Sequence, residues 1–132
     1  MFGLYAGIGQ HQGGVGGGAE AYLVPGQLSL WVGAGIWPGQ PGLVATAAAV
    51  RWYPASAPPH RMFVDASWTL GVVTNTRRGS RTGRYYAPGV MLGYSYLAGS
   101  GFSVAAGVGL AGPAYDEVVP LLQLAVGWTL RR

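Results

Sequence analysis

Two-residue alternation along the C-terminal segment is the sequence feature that most restricts the fold. Between Val118 and Leu130 every even-numbered position is apolar and most are large, whereas the odd-numbered positions shrink to residues such as Gln123, Gly127 and Thr129. Successive side chains of a β-strand point to opposite faces, while an α-helix would repeat its apolar face about every 3.6 residues. The segment is therefore predicted to be a strand that separates two different environments.

The same alternation recurs through the whole chain and predicts eight strands. It is clear at 102–111, 86–96 and 62–72, and weaker near 43–53, 28–37, 15–24 and 2–10. The breaks between these segments are short and rich in turn residues, which favours antiparallel hairpins over parallel crossovers. An even number of consecutive antiparallel strands can close without leaving an edge. We therefore predict one all-β domain over residues 1–132, an eight-stranded antiparallel up-and-down barrel. The predicted breaks are 10–14, 25–27, 38–42, 54–59, 74–82, 98–100 and 112–116.

Composition decides which solvent such a barrel faces. Only 9% of the residues are charged, against about 25% in a typical soluble domain. Aromatic residues make up 12% of the chain, which argues against disorder despite the abundant glycine. The chain has no cysteine, so disulfides and thiolate chemistry are excluded, and it has no apolar run long enough for a transmembrane helix.

The small-residue faces of the strands are predicted to line a narrow interior, with the large apolar faces toward lipid. The few charges within strands, Glu20, Arg51 and Asp65, together with Arg131, lie on the small faces, and they are too few to solubilise a barrel exterior. Aromatic residues on the large faces fall near one rim, as in the girdle of a transmembrane barrel. The alternative is a soluble barrel or sandwich with the large faces inside. The predicted girdle is Phe2, Trp52, Tyr94, Tyr96, Phe102 and Trp128.

With its dyad repeats and its final aromatic and apolar strand LLQLAVGWTL at 121–130, the chain resembles the small eight-stranded outer-membrane barrels, such as the transmembrane domain of outer membrane protein A and its shorter relatives. The resemblance implies a bacterial outer-membrane location and a transmembrane β-barrel.

Three of the interior charges are predicted to form a network in the lumen. Arg51 and Asp65 lie on either side of the predicted 54–59 turn and face the same side, so they are placed to form an ion pair, with Glu20 as a further partner. One hypothesis is a gate that rearranges to open a channel. The other, which we favour, is a static plug that satisfies buried charge, because an unpaired buried charge is costly.

The 74–82 connection and its flank carry a basic cluster, Arg77, Arg78, Arg81 and Arg84. Guanidinium groups suit phosphate oxygens, so anionic headgroups or sugar phosphates of membrane lipids are expected partners. The alternative is a solvated loop that aids orientation and solubility. No aromatic platform or groove-reading element accompanies the arginines, so a nucleic-acid partner is not expected.

Catalytic and metal chemistry find little support in the sequence. The glycine pattern GVGLAG at 107–112 matches a dinucleotide-binding spacing, but Pro113 follows it where that motif needs a helix. His11 lies near Asp116 and Glu117 only if the first and last turns meet, and His60 belongs to a turn while Asp65 and Ser67 face inward. We therefore expect no enzyme activity, cofactor or metal.

The predicted function is a monomeric, non-enzymatic outer-membrane protein with a side-chain-filled interior and a structural or surface role. Two alternatives stay open: a narrow pore, and a soluble β-sandwich or assembly subunit such as a capsid or surface-layer component. Bulky inward residues such as Tyr5, Tyr22 and Trp31 favour the filled interior over the pore.

Overall fold

A computed structural model describes residues 1–9, 14–36, 43–75, 81–114 and 117–130. Each strand pairs antiparallel with the next and the first pairs with the last, so the sheet closes into an up-and-down barrel, and the predicted eight-stranded fold is confirmed. Within these ranges no helix has the length and apolar character needed to cross a membrane. The strands are β1 (Phe2–Gly9), β2 (Gly14–Val24), β3 (Leu28–Ile36), β4 (Leu43–Ala57), β5 (His60–Asn75), β6 (Arg81–Leu97), β7 (Phe102–Ala114) and β8 (Glu117–Leu130).

The barrel has two different ends. The terminal rim carries the start of β1, the end of β8 and the turns at 25–27, 58–59 and 98–101, whereas the connections of the opposite rim lie outside the described ranges. The turn between β2 and β3 illustrates the local chemistry. The Gln27 amide donates to the Val24 carbonyl at 3.0 Å, and Gly26 has a φ of 74°. Proline followed by a glycine at positive φ is the sequence of a type II turn, which Pro25 and Gly26 supply.

Side-chain alternation gives the wall an apolar outer face and an inner face on which polar and charged side chains are mixed with apolar ones. Every strand contributes large apolar side chains to the exterior, among them Leu4, Leu23, Val32, Val44, Trp68, Leu92, Val108 and Leu122, all at least 50% exposed. The opposite positions are buried and include four ionised residues. The buried polar side chains are Glu20, Ser29, Arg51, Arg61, Asp65, Ser67, Thr69, Ser95, Ser103, Gln123 and Thr129.

Strands extend into several of the predicted breaks, and the extension is largest at 54–59 and 74–82. β4 runs through Pro54 to Ala57, and the ladder with β5 is irregular between Trp52 and Ala55. Proline has no N–H to give to a ladder, and an irregularity of this kind accommodates it without ending the strand. The second break, at 74–82, shrinks because the pairing of β5 with β6 continues to Asn75 and Arg81. Hydrogen bonding within this hairpin therefore persists after the apolar alternation has ended.

Glycine is required where the backbones of neighbouring strands come close together. A Cβ added at Gly7 would lie 2.2 Å from the Leu124 carbonyl oxygen and 2.8 Å from the Ala125 Cα. Both are backbone atoms, so relief would require β1 and β8 to separate. At Gly112 in β7 the nearest atom to such a Cβ is the Val118 Cγ2, at an ordinary 3.8 Å.

The substitution Gly7→Ala is expected to lower the free energy of unfolding by about 1–3 kcal/mol, the usual cost of overpacking. The matched control Gly112→Ala should be neutral or slightly stabilising, since alanine restricts the unfolded chain. Urea unfolding of both variants, followed by tryptophan fluorescence, measures the difference. Equal stability of the two variants would contradict the close approach of β1 to β8.

Candidate functional site

The interior toward the terminal rim holds the buried charges and is the candidate functional site. Its polar side chains form two groups, which we name the Arg51 cluster and the Glu20 cluster. The Arg51 cluster consists of Trp31, Arg51, Phe63, Asp65 and Gln123. The Glu20 cluster consists of Tyr5, Glu20, Tyr22, Ser29, Tyr53, Arg61, Ser95 and Thr129.

The Arg51 cluster links opposite walls of the barrel. Arg51 donates from Nε and Nη2 to Oδ2 of Asp65, at 3.2 and 3.0 Å, and from Nη2 to Oε1 of Gln123 at 3.1 Å. Arg51 lies on β4 and Gln123 on β8, four strands apart in a ring of eight, so the second contact crosses the lumen. The guanidinium also stacks over Phe63 and Trp31, with Cζ 3.8 and 5.0 Å from the ring centroids. Pairing, hydrogen bonding and stacking together hold this buried cation in place.

The Glu20 cluster surrounds one carboxylate with hydroxyl donors. Oε2 of Glu20 accepts from the hydroxyls of Tyr5 at 2.9 Å and Tyr22 at 3.1 Å. Oε1 accepts from Ser29 at 2.5 Å and Tyr53 at 2.7 Å. These donors come from β1, β2, β3 and β4, so one side chain joins four consecutive strands. Four hydrogen bonds to an ionised acceptor compensate for its loss of water.

Within the Glu20 cluster, Arg61 is connected to the Glu20 carboxylate through the Tyr22 hydroxyl. It donates from Nη1 to the Tyr22 hydroxyl at 2.9 Å, and that hydroxyl donates in turn to Glu20. From Nη2 it donates to Ser95 on β6 at 3.0 Å, and its Cζ lies 4.5 Å from the Tyr53 ring centroid. The cluster therefore extends across β5 and β6, and the four buried ionised side chains of the described interior carry two positive and two negative charges.

Aromatic rings fill the space between the two clusters. Tyr5 and Trp31 have ring centroids 4.6 Å apart, and the Tyr53 ring meets Phe63 edge-on at 6.2 Å. Trp31, Phe63 and Arg51 are each at most 1% exposed. Large buried side chains from opposite walls thus occupy the lumen toward the terminal rim, as expected for an eight-stranded barrel whose interior is just wide enough for side chains.

The three residues predicted for the lumen network are all buried, but they do not form one ion-pair network. Arg51 and Asp65 occupy directly opposite positions on β4 and β5 and form a salt bridge. Glu20 instead accepts from hydroxyl groups. Its nearest cationic connection is Arg61, by way of Tyr22.

The six residues of the predicted girdle are exposed on the outer face, near the terminal rim. Each is between 37% and 54% exposed. The pairing places them close to strand ends: Phe102 lies opposite Trp128, and Tyr96 lies opposite His60, the first residue of β5. Phe2 begins β1, while Trp52 and Tyr94 lie toward the ends of β4 and β6 at this same rim.

The predicted basic cluster lies only partly within the described ranges. Arg77 and Arg78 lie outside them, while Arg81 and Arg84 belong to β6 and are described by their backbone alone. At the other end of the chain, Arg131 also lies outside. The Gly107–Gly112 glycine pattern lies within β7, where it forms barrel wall.

The residues weighed for a hydrolytic site do not come together in the described part of the chain. His60 is exposed at the terminal rim, with Nδ1 in contact with the Tyr94 hydroxyl, whereas Asp65 and Ser67 are buried. The Ser67 hydroxyl donates to the Gly89 carbonyl at 3.4 Å. Of the other candidate ligands, His11 and Asp116 lie outside the described ranges and Glu117 begins β8. Among the described side chains no three His, Cys, Asp or Glu residues come close enough to hold a metal ion.

Sequence analysis missed Arg61 and Tyr53 as interior residues. Tyr53 is the last residue of the predicted 43–53 segment, and Arg61 falls between the predicted 54–59 break and the segment that starts at residue 62. The two-residue alternation could have identified both as inward-facing. Tyr53 lies two residues after Arg51, and Arg61 lies two residues before Phe63. In the structure Tyr53 lies on β4 and Arg61 is the second residue of β5, and both side chains are buried in the lumen.

Comparison with protein-family models, with curated proteins and with solved structures finds no match to this chain.

Proposed function

We propose that this chain is an integral β-barrel protein of the bacterial outer membrane, with a sealed interior and a structural or surface role. The observation that carries the proposal is the inverted polarity of the wall. Large apolar side chains are exposed on every strand, while two carboxylates and two guanidinium groups are buried within. A soluble barrel would place its apolar residues in the core, whereas hydrocarbon favours this arrangement.

The dimensions of the apolar exterior support the proposal. On β8 the outward positions from Val118 to Leu130 are apolar throughout. At about 3.4 Å per residue they cover roughly 40 Å of strand, or about 28 Å of height at a tilt near 45°. This height suits a hydrocarbon core. The exposed aromatic residues near the terminal rim would lie at the interface between hydrocarbon and headgroups, where tyrosine and tryptophan are enriched.

The test of membrane residence is the behaviour of the purified chain without detergent. We expect the folded protein to require detergent for solubility and to migrate differently on SDS gels before and after boiling. The control is a boiled sample, which should run at the position of the unfolded chain. A monodisperse monomer in plain buffer would overturn the proposal. A detergent-free closed assembly would instead favour the soluble-subunit alternative, in which other copies cover the apolar exterior.

The filled lumen favours a structural role over that of a pore. Because Arg51 bridges from Asp65 on β5 to Gln123 on β8, and Trp31 and Phe63 flank it, no wide passage remains at this level of the barrel. Planar-bilayer recording of the pure protein is expected to show no steady conductance. Reproducible ion-conducting steps would establish the pore alternative instead. The variant Arg51→Ala, in which the bridge is lost, is the matched comparison and should show more frequent openings than the native chain.

A further inference from the structure

Strand β6 continues well beyond the point where its pairing with β7 ends. β6 pairs with β5 along its length, from Tyr96 opposite His60 to Arg81 opposite Asn75. The β6–β7 ladder ends at the pair Gly89–Ala111. Within the described part of the chain, residues 81–88 therefore have a strand partner on one side only. At about 3.4 Å per residue this segment is roughly 27 Å long.

The side of this extension that faces β5 is paired. β5 itself pairs with β4 as far as Leu43 opposite Val73. β4, β5 and β6 therefore extend together toward the rim opposite the termini, and β6 is the outer strand of the three. An edge strand presents a row of main-chain N–H and C=O groups to any strand that approaches. Eight residues exceed the length of a typical strand in globular proteins, which leaves room for a full partner strand.

The charge of this edge selects the kind of strand that can approach. Arg81 and Arg84 lie within the edge, Arg77 and Arg78 precede it in the sequence, and no acidic residue occurs between Asp65 and Asp116. Like charges oppose edge-to-edge pairing with a second copy of this chain, and charged residues are a common protection against it. The same arginines favour an acidic strand, since opposite charges across a strand pair stabilise it.

We propose that the 81–88 edge of β6 captures an extended acidic segment of another protein by strand addition. Main-chain hydrogen bonds to the edge supply affinity, and the arginines select the sign of charge. The segment contains the strand-favouring residues Thr82, Tyr85 and Tyr86. Its composition therefore suits an extended conformation in the absence of a bound partner. The proposal depends on the ladder and on the charge of the segment, and it stands whether or not the barrel lies in a membrane.

The test uses synthetic peptides and the full chain in detergent micelles. The first probe alternates glutamate and threonine, the second replaces every glutamate with lysine, and the third is the glutamate peptide with N-methyl groups on four consecutive central amides. Consecutive methylation blocks both hydrogen-bonding edges and keeps the charge. We expect only the first peptide to slow hydrogen exchange at amides within 81–88, by about tenfold or more at saturation, while amides of 89–97 keep their rates.

Two chain variants test the role of the arginines. Arg81→Gln with Arg84→Gln should weaken binding of the glutamate peptide about tenfold. Arg131→Gln with Arg132→Gln makes the same charge change far from this edge in the sequence and should leave binding unchanged. If the methylated peptide bound as tightly as the unmethylated glutamate peptide, strand addition would be overturned. The arginines would then attract anions in general, lipid phosphates included, without main-chain hydrogen bonds. Protection of 81–88 in the absence of peptide, increasing with protein concentration, would overturn it in favour of self-pairing.

Discussion

Replacing Asp65 with asparagine is expected to lower the free energy of unfolding by about 3–5 kcal/mol, because it leaves a fully buried guanidinium without its counter-charge. Arg51 and Asp65 are each 1% exposed, so water cannot replace the lost carboxylate without opening the wall. Asparagine has nearly the same shape as aspartate, which restricts the change to charge. Urea unfolding from micelles, followed by tryptophan fluorescence, measures the loss.

Two further variants separate charge from packing in this experiment. Ser67→Ala changes a buried polar residue two positions along β5, whose hydroxyl makes only a long 3.4 Å hydrogen bond, and should cost less than about 1 kcal/mol. Combining Asp65→Asn with Arg51→Met removes both charges and should recover much of the lost stability, as is common when a buried pair is replaced. A small effect of Asp65→Asn with no recovery in the double variant would show that the salt bridge does not hold β4 and β5 together.

The alternation that predicted the barrel also predicted which side of each strand faces inward. Leu122, Leu124 and Trp128 are exposed and Gln123 is buried, as the pattern at 118–130 requires. A period of two is dictated by strand geometry, so it survives in a single sequence even where the residues themselves vary. The strand count and the interior position of Arg51 and Asp65 follow from the same geometry.

The partners within the lumen could not be predicted in this way. The two-residue alternation places the side chains of Glu20, Arg51 and Asp65 inside the barrel. Which of these side chains contact one another depends on the register of all eight paired strands and on the side-chain rotamers that cross the lumen. Tyr53 and Arg61 change the outcome, since their hydroxyl and guanidinium groups complete the surroundings of Glu20. Both residues lie next to the irregularity at Pro54, where local sequence favours a turn and pairing with β5 continues the strand. The extension of β5 and β6 was missed for a related reason, because its pairing carries no apolar alternation.

Arginine in place of Leu124 is expected to lower the free energy of unfolding in phospholipid vesicles by about 2–4 kcal/mol, the cost of a cation near the middle of a bilayer. Leu124 is 55% exposed and lies mid-strand on β8, opposite Ile8 and Ala106, so the new side chain would point outward without disturbing the interior. Leu130→Arg is the matched control, since Leu130 faces outward from the same strand at the terminal rim, where the cost should fall to about 0–1 kcal/mol. The ratio between the two variants measures depth in hydrocarbon, because strand, face and substitution are the same. Equal costs, or a Leu124→Arg chain that is soluble and monomeric without detergent, would show that the apolar exterior faces another protein surface or water instead of lipid.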